Sequence, residues 1–253
     1  MWITEYWDLI QILTISDLRV KYQSSVLGFA WSLVNPLLML LILYVVFSKI
    51  FSVTETQFAI YILIGIVTWR FLQNGTSLGL SSIVNNPGLV TKISIPRQVL
   101  IFSSVFSSFI SSILEFGVLF FLLLVFQVTI TPTVLLFPVF FLIFFTLVYG
   151  LALGLASLFV YYRDLNQVWD VLMQAGFFLS PIVYPISAIP KEYLRIYFIN
   201  PITVFMEINR DILLYGQLPP LPMALYLGIA GFILLIIGRF IFARLERRFA
   251  EEV

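Results

Sequence analysis

The sequence contains neither cysteine nor histidine, and few of its 253 residues carry a charge. Without those two side chains the chain cannot form a disulfide, use a thiol nucleophile, or use an imidazole as an acid or base. Charged residues make up 11% of the chain, whereas soluble domains contain about 25%. The net charge of +1 gives no electrostatic basis for binding nucleic acid.

Catalytic signatures are missing as well. The sequence has no G-x-x-x-x-G-K-[ST] phosphate loop and no other glycine-rich nucleotide motif. Its many serines have no histidine to act as a base, and most acidic residues lie near the chain ends or within 185–221. We therefore predict no catalytic residue, no metal site and no cofactor bound by this chain, so that energy for any work must come from another protein.

Long apolar runs are what the chain has instead. Hydrophobic residues make up 61% of it, and the mean hydropathy is +1.05. A transmembrane helix needs roughly 20 apolar residues. The sequence predicts an all-α polytopic membrane protein, with an N-terminal region, 1–28, and a transmembrane domain, 29–253. The six predicted transmembrane helices are approximately 29–51, 58–80, 98–127, 133–160, 165–184 and 222–243.

The N-terminal region, 1–28, has the pattern of an amphipathic helix. Trp2, Tyr6, Leu9 and Leu13 recur at helical spacing, with acidic and amide residues between them. This pattern favours a helix that lies in the membrane interface. If the region is cytoplasmic, nine of the 14 lysines and arginines lie on the inner side, four on the outer side and one within a span. The positive-inside rule therefore places both termini in the cytoplasm.

Two connecting segments are unusual. The loop 85–98, on the predicted cytoplasmic side, contains Pro87, Gly88 and Pro96 and is longer than a turn requires. We interpret it as an element that docks on a cytoplasmic partner. The outer segment, 185–221, is too charged for two spans and too apolar for a solvated loop. It favours short re-entrant helices, and an amphipathic pair on the outer surface fits the pattern nearly as well.

Two charged residues, Arg70 and Glu115, lie inside predicted spans. Each is about 18 Å from the predicted outer end of its helix, at 1.5 Å per residue. The matched depth predicts a structural ion pair, and a proton- or ion-coupled site is the alternative. Serines recur every fourth residue before Glu115, from Ser103 to Ser111, which indicates close helix packing rather than a polar conduit.

Several motifs together resemble the membrane subunits of ABC-2-type exporters, in the branch that moves lipid-linked O-antigen, capsule or teichoic-acid chains. The first is R-x-K-Y-x-x-S-x-L-G-x-x-W-x-x-x-x-P, and the loop 85–98 resembles N-x-x-L-x-x-K-x-x-x-P. YRD at 162–164, SPIVYP at 180–185, and NP at 200–201 followed by Arg210 are similar too. The resemblance covers essentially the whole chain in order. The residues that match the first two motifs are Arg19, Lys21, Tyr22, Ser25, Leu27, Gly28, Trp31, Pro36, Asn86, Leu89, Lys92 and Pro96.

The resemblance implies a permease of the bacterial cytoplasmic membrane that takes part in ATP-driven export of lipid-linked polysaccharide. It implies two copies of this chain and two copies of a separate cytoplasmic ATPase subunit, which would use ATP and Mg²⁺. The outer segment would form the re-entrant helices that close the exit. The residues expected to couple the ATPase to the spans are Leu89, Lys92, Ile93 and Pro96.

The same resemblance places substrate entry beside the first motif, at Arg19, Lys21, Tyr22 and Trp31. The two cations suit the pyrophosphate of a lipid-linked substrate at the level of the inner headgroups, and Trp31 suits the interface. A topological role, in which the cations hold the N-terminus inside, is compatible with this one.

Aromatic residues are the candidates for the sugar path, because sugar C–H faces pack on aromatic rings and the first and fifth spans line the pathway in the resembling family. With 26 phenylalanines in the chain, packing in the core is the alternative. In span five the candidates follow the spacing of one helix face: Trp169, Met173, Phe177, Ser180 and Tyr184. In span one they are Tyr44, Phe47 and Phe51.

Three other functions stay open from the sequence. One is an exporter of the same family that moves a drug or a lipid without a glycan. The second is an ion-coupled secondary transporter that uses Arg70 and Glu115. The third is a scaffold that recruits enzymes of glycan synthesis. A neighbouring gene for an ATPase would favour the two exporter functions, and neighbouring glycosyltransferase genes would favour a glycan substrate.

Overall fold

A computed structural model of the chain describes residues 2–23, 28, 30–47, 57–92 and 95–252. Every regular element in these ranges is helical, which agrees with the predicted all-α class. The helices are α1 (Trp2–Glu5), α2 (Trp7–Tyr22), α3 (Ala30–Val45), α4 (Phe58–Ser81), α5 (Pro87–Lys92), α6 (Gln98–Val125), α7 (Phe137–Tyr161), α8 (Leu165–Leu179), α9 (Lys191–Ile199), α10 (Pro201–Leu213), α11 (Leu221–Leu245) and α12 (Phe249–Glu252).

Four helical segments in the described ranges are long and apolar enough to cross a membrane. They are α4, α6, α7 with the 3-10 turn before it, and α11 with the 3-10 turn after it. The helices of the first and fifth predicted spans are shorter, with 16 residues in α3 and 15 in α8. The outer end of the first predicted span falls within 48–56, which lies outside the described residues. The chain is a polytopic α-helical membrane protein, and the crossing of the bilayer by α3 and α8 stays a prediction.

Helix α4 lies at the centre of the fold, in contact with α3, α6, α7, α8 and α10. Small residues let α7 approach it closely. A Cβ atom at Gly75 would lie 2.7 Å from Val148 Cγ1. A Cβ atom at Gly79 would lie 2.7 Å from Ala152 Cβ. The α4–α7 distance is therefore set by glycines of α4.

Helices α7 and α11 cross with their backbones in contact, at Gly150 and Gly238. A Cβ atom at Gly238 would overlap the carbonyl oxygen of Gly150. A Cβ atom at Gly150 would in turn lie 2.6 Å from the backbone nitrogen of Leu235. Neither crossing residue can carry a side chain without moving one helix.

One end of the molecule brings together the N-terminal helices, the loop 85–98 and the C-terminal residues. Asp17 of α2 accepts a hydrogen bond of 2.9 Å from the Ser104 hydroxyl, near the start of α6. Arg97 donates to the carbonyl oxygen of Glu246 at 2.9 Å. Helix α12 packs against α5 and α7 at the same end. These are the elements that the charge distribution predicts on one side of the membrane.

The other end holds α9 and α10, the helices of the predicted outer segment. Asn200 caps α10, because its Oδ1 accepts a hydrogen bond from the Ile202 amide at 3.0 Å, and Pro201 occupies the first helical position. Helix α10 is largely buried against α4, α7 and α11, whereas α9 has no buried residue. The segment thus combines one packed helix with one surface helix, and its depth in the membrane stays a prediction.

Candidate functional site

The accessible residues of α4 are mostly polar. Most of this helix is buried, and the residues that are not are Arg70, Gln73, Asn74, Ser77, Leu78 and Ser81. Their spacing of three or four residues places them on one side of the helix. Five of these six carry polar side chains, which is unusual for the exposed side of a membrane-spanning helix. We refer to the five polar residues, all except Leu78, as the α4 polar face.

Arg70, on the α4 polar face, forms the predicted ion pair with Glu115 of α6. Its Nε lies 3.2 and 3.1 Å from the two carboxylate oxygens, and its Nη2 lies 3.0 Å from Oε1. The Glu115 side chain is 3% exposed and the Arg70 side chain 22%. A bidentate geometry of this kind gives the strongest form of a charged hydrogen bond. The geometry agrees with the prediction, and the structural role of the pair remains a prediction.

A groove of ≈ 470 Å³ continues from the α4 polar face towards α2. Asp17 and Lys21 of α2 line it, and so does Ser104 of α6. Burial raises the pKa of the Asp17 carboxyl, and the hydrogen bond from Ser104 opposes that shift. We call this space the α2–α4 groove; its lining residues are Ser16, Asp17, Val20, Lys21, Asn74, Leu78, Ser81, Ser82, Asn85, Asn86 and Ser104.

The predicted entry residues do not all lie together. Lys21 lines the α2–α4 groove, whereas Arg19 lines a separate groove with Ile12 and Ile15. Trp31 is about half exposed in the first turn of α3. The side chain of Tyr22 is outside the described residues. Of the two cations that sequence reasoning grouped, Lys21 alone faces the α4 polar face.

Two of the predicted coupling residues, Leu89 and Pro96, lie at the end of the molecule that brings together α2, α5 and α12. Leu89 is half-buried within α5, which contacts α12. Pro96 immediately precedes α6, and its carbonyl oxygen accepts a hydrogen bond of 2.9 Å from the Val99 amide. The side chain of Lys92 and all of Ile93 lie outside the described residues. The loop therefore forms a short helix, α5, which the pattern of prolines did not predict.

The predicted aromatic row in span five is wrong as a single helix face. Helix α8 ends at Leu179, because Pro181 disfavours the helical conformation at the residue before it. Ser180 accordingly has an extended backbone, with ψ at 148°. Ser180 is buried beyond the end of the helix, and the Tyr184 hydroxyl contacts the Tyr197 hydroxyl of α9 at 3.1 Å. Pro181 is the residue in the sequence that predicts this end of the helix.

The first three residues of that row face α4 within the same subunit. Trp169 Nε1 donates to Thr76 Oγ1 at 2.9 Å, and Met173 is buried. Phe177 meets the Trp69 ring edge-on at 6.2 Å between centroids. These contacts match the alternative of core packing, and the lining role of the row stays untested. In span one Tyr44 is exposed, Phe47 is half-buried, and Phe51 lies outside the described residues.

Comparison with known proteins decides the family. The family model described as ABC-2 type transporter matches residues 8–214. The chain belongs to this family. It is 28% identical over 246 residues to an O-antigen export system permease protein RfbA of Klebsiella pneumoniae, with 97% of this chain and 95% of that protein covered. It is 29% identical over 251 residues to the protein of the same name from Myxococcus xanthus, covering 98% and 96%.

A further relative of this ABC-2 type transporter subunit is a polysialic acid transport protein KpsM of Escherichia coli. That protein is 22% identical over 232 residues, with 90% of each chain covered. The match to the family model confirms the predicted family. The chain is therefore a transport component with several membrane spans.

Arg210 is the residue of this ABC-2 type transporter subunit whose importance the sequence reasoning missed. It is fully buried in α10, with its guanidinium 3.4 Å from the centroid of the Tyr61 ring. It pairs with Glu207 one turn earlier and donates to the carbonyl oxygen of Pro181 at 2.6 Å. Arg210 thereby joins α10, α4 and the bend after α8. The sequence placed it only in a motif, and its complete burial depends on contacts between distant segments.

Proposed function

We propose that the chain is the transmembrane subunit of an ATP-driven exporter that moves lipid-linked polysaccharide across the bacterial cytoplasmic membrane. The observation that carries the proposal is its similarity, over nearly the whole length of both chains, to proteins named O-antigen export system permease. A relative named for polysialic acid transport extends the support to a second glycan.

The working complex would contain two copies of this chain and two copies of a cytoplasmic ATPase subunit, which binds ATP and Mg²⁺. The sequence of this chain has no phosphate loop of its own, which is consistent with such a division of labour. Both termini, the loop 85–98 and α5 would lie on the cytoplasmic side, where the ATPase docks. The positive-inside distribution supports this orientation.

A deletion strain tests the proposal. Without this chain, lipid-linked polysaccharide should accumulate on the cytoplasmic face and disappear from the cell surface. Expression of this chain together with the ATPase should restore the surface polysaccharide. Expression with an ATPase whose phosphate-loop lysine is replaced should not.

Two results would contradict the proposal. One is normal surface polysaccharide in the deletion strain together with increased sensitivity to a drug, which would favour export of a molecule without a glycan. The other is export that continues with the inactive ATPase and stops when the proton gradient is collapsed, which would favour an ion-coupled transporter.

A further inference from the structure

We propose that the α4 polar face, together with the α2–α4 groove, binds the diphosphate headgroup of the lipid-linked substrate, and that Arg70 is its innermost ligand. The proposal rests on the proposed function for the class of substrate, and on the structure for the residues. It assigns an anion-binding role to the arginine of an ion pair whose predicted role is structural.

The chemistry of the accessible surface is the first argument. A polar side chain on a membrane helix is unfavourable against hydrocarbon and normally faces protein, water or a polar ligand. On α4 the buried residues are mostly apolar, with Thr68 and Thr76 as exceptions. The one accessible side carries, beside Leu78, the polar residues Arg70, Gln73, Asn74, Ser77 and Ser81. Contact of this surface with lipid tails is therefore unfavourable, whereas contact with a polar molecule that enters from the headgroup region is favourable.

Arg70 has N–H donors that do not contact Glu115. Nε and Nη2 contact Glu115. Within the part of the chain that the structure describes, no acceptor contacts Nη1, so two further N–H groups are available on a side chain that is 22% exposed. Arginine donors of this type suit phosphate oxygens. Glu115 holds the guanidinium in one orientation, which reduces the entropy lost when a ligand binds.

The α4 polar face lies next to the α2–α4 groove. Asn74 and Ser81 line the α2–α4 groove together with Lys21, and Arg70 lies one helical turn beyond Asn74. The α2–α4 groove and the ion pair therefore lie on the same side of α4. From Ser81 to Arg70 this surface extends about 16 Å along α4. That is about half of the roughly 30 Å hydrocarbon thickness.

The balance of charge is the fourth argument. Two cations, Lys21 and Arg70, lie beside two carboxyl groups, Asp17 and Glu115. The remaining ligands are neutral amides and hydroxyls. The formal charges cancel, so the surface offers hydrogen-bond donors to a diphosphate without holding it by a net positive charge. A conducting site must also release what it binds. The polar face would let the headgroup move into the bilayer while its lipid tail stays in hydrocarbon.

Cysteine accessibility tests the proposal in inside-out vesicles that contain the complex of this chain with its ATPase. The natural chain has no cysteine, so single cysteines can replace Asn74, Ser77 and Ser81 in turn. A charged methanethiosulfonate should modify all three. Ile113→Cys is the control, because Ile113 is about half exposed on α6 near the depth of Glu115, on the side away from α4, and should not react.

Farnesyl diphosphate then identifies the ligand class. At about ten times its dissociation constant it should slow modification of the three cysteines about tenfold, following occupancy of the site. Farnesol should give no protection. Inorganic diphosphate should protect weakly, because it lacks the lipid. Equal protection by inorganic diphosphate would overturn the assignment to a lipid-linked headgroup, and no protection by farnesyl diphosphate would overturn the site.

Two variants separate binding from folding. Arg70→Leu/Glu115→Leu removes both charges, and the dissociation constant for farnesyl diphosphate should rise roughly 10- to 100-fold, the value of a charge-assisted hydrogen bond. If this variant does not assemble, Gln73→Leu/Asn74→Leu leaves the ion pair intact and should still weaken protection severalfold. Wild-type protection in whichever of the two assembles would overturn the proposal.

Failure of the headgroup site can be distinguished from failure of the proposed export function. If the deletion strain accumulates lipid-linked polysaccharide but the cysteines are neither modified nor protected, the headgroup site is wrong and the export function is not. If the cysteines are protected but no polysaccharide accumulates, the export function is wrong and the site binds an isoprenoid diphosphate for another purpose.

Discussion

Arg210 illustrates how one buried side chain can determine the arrangement of several segments. Its guanidinium is stabilised by the Tyr61 ring, the Glu207 carboxylate and the carbonyl oxygen of Pro181. A cation over an aromatic face, away from water, contributes about 2 kcal/mol. The segment after α8 has little regular structure, so the bond to Pro181 is a direct constraint on it.

Arg210→Leu should therefore lower the stability of the subunit by about 3–5 kcal/mol, because it leaves the partners of a buried charge unsatisfied. Arg210→Lys should recover part of the loss, since it keeps the charge but not the planar fork. The measurement is the apparent unfolding temperature in detergent. Arg195→Ala is the control, because Arg195 is exposed on α9. Unfolding of Arg210→Leu at the temperature of Arg195→Ala would contradict the role of Arg210.

Arg70 and Glu115 provide a second residue-scale prediction. Arg70→Ala and Glu115→Ala should each reduce the folded yield, because either change leaves a partly buried charge without its partner, at a cost of about 3–5 kcal/mol. Arg70→Leu/Glu115→Leu should restore much of the yield, since an apolar replacement of both partners can be nearly neutral. Yield is read from the monodisperse fraction after solubilisation. A double variant as poor as the single variants would show that the pair does more than compensate its own charges.

Among the helices, the α7–α11 crossing depends most strictly on residue size. Gly238→Ala places a methyl group against the Gly150 carbonyl, so the helices must separate. This overpacking should lower the free energy of unfolding by about 1–3 kcal/mol. Gly228→Ala on the same helix is the matched control, because a Cβ there meets nothing within 4 Å. Alanine should be neutral or slightly stabilising at 228, since it favours helix by about 1 kcal/mol over glycine. Equal unfolding temperatures for the two variants would contradict the close crossing.

Helix α5 is the element expected to meet the ATPase. Gly88 and Thr91 are exposed positions of α5, as is its first residue, Pro87, whereas Val90 is buried. Gly88→Cys and Thr91→Cys should crosslink to cysteines in the ATPase, and crosslinking should block export in the intact complex. Asp164→Cys, in the exposed turn before α8, is the comparison. Crosslinks that form from position 164 and never from α5 would transfer the coupling role to that turn.

The elements that the sequence predicted well are those defined by hydrophobic length. The predicted span 58–80 corresponds to α4 (Phe58–Ser81), and the predicted span 98–127 corresponds to α6 (Gln98–Val125). Length says nothing about which side of a helix is buried, so it does not reveal that Trp169 and Phe177 of α8 contact α4. The predicted lining role of that row stays untested. The α4 polar face is visible in the sequence as spaced polar residues, but its accessibility depends on how α2, α3 and α6 surround it.

At the scale of the whole molecule, the outward surfaces of α11 and α8 differ in chemistry. The exposed residues along the middle of α11 are apolar, from Leu225 to Ile237, which suits contact with lipid. Helix α8 exposes Val171 and Leu172 but also Gln167 and Gln174. Exposed amides on a helix of a membrane protein favour contact with protein or water. The surface of α8 is therefore the better candidate for the interface between two copies of the chain.

A two-fold symmetric dimer brings the same residue of both copies together near its axis. Leu172→Cys, introduced into this cysteine-free chain, should form a disulfide-linked dimer in membranes under mild oxidation. Phe232→Cys on α11 has similar exposure and should not, because it faces lipid. The measurement is the dimer fraction on a non-reducing gel, with the ATPase coexpressed so that the complete transporter is sampled. Crosslinking at position 232 and none at 172 would contradict this assignment. It would show that α11 forms the dimer interface and that the exposed surface of α8 contacts lipid.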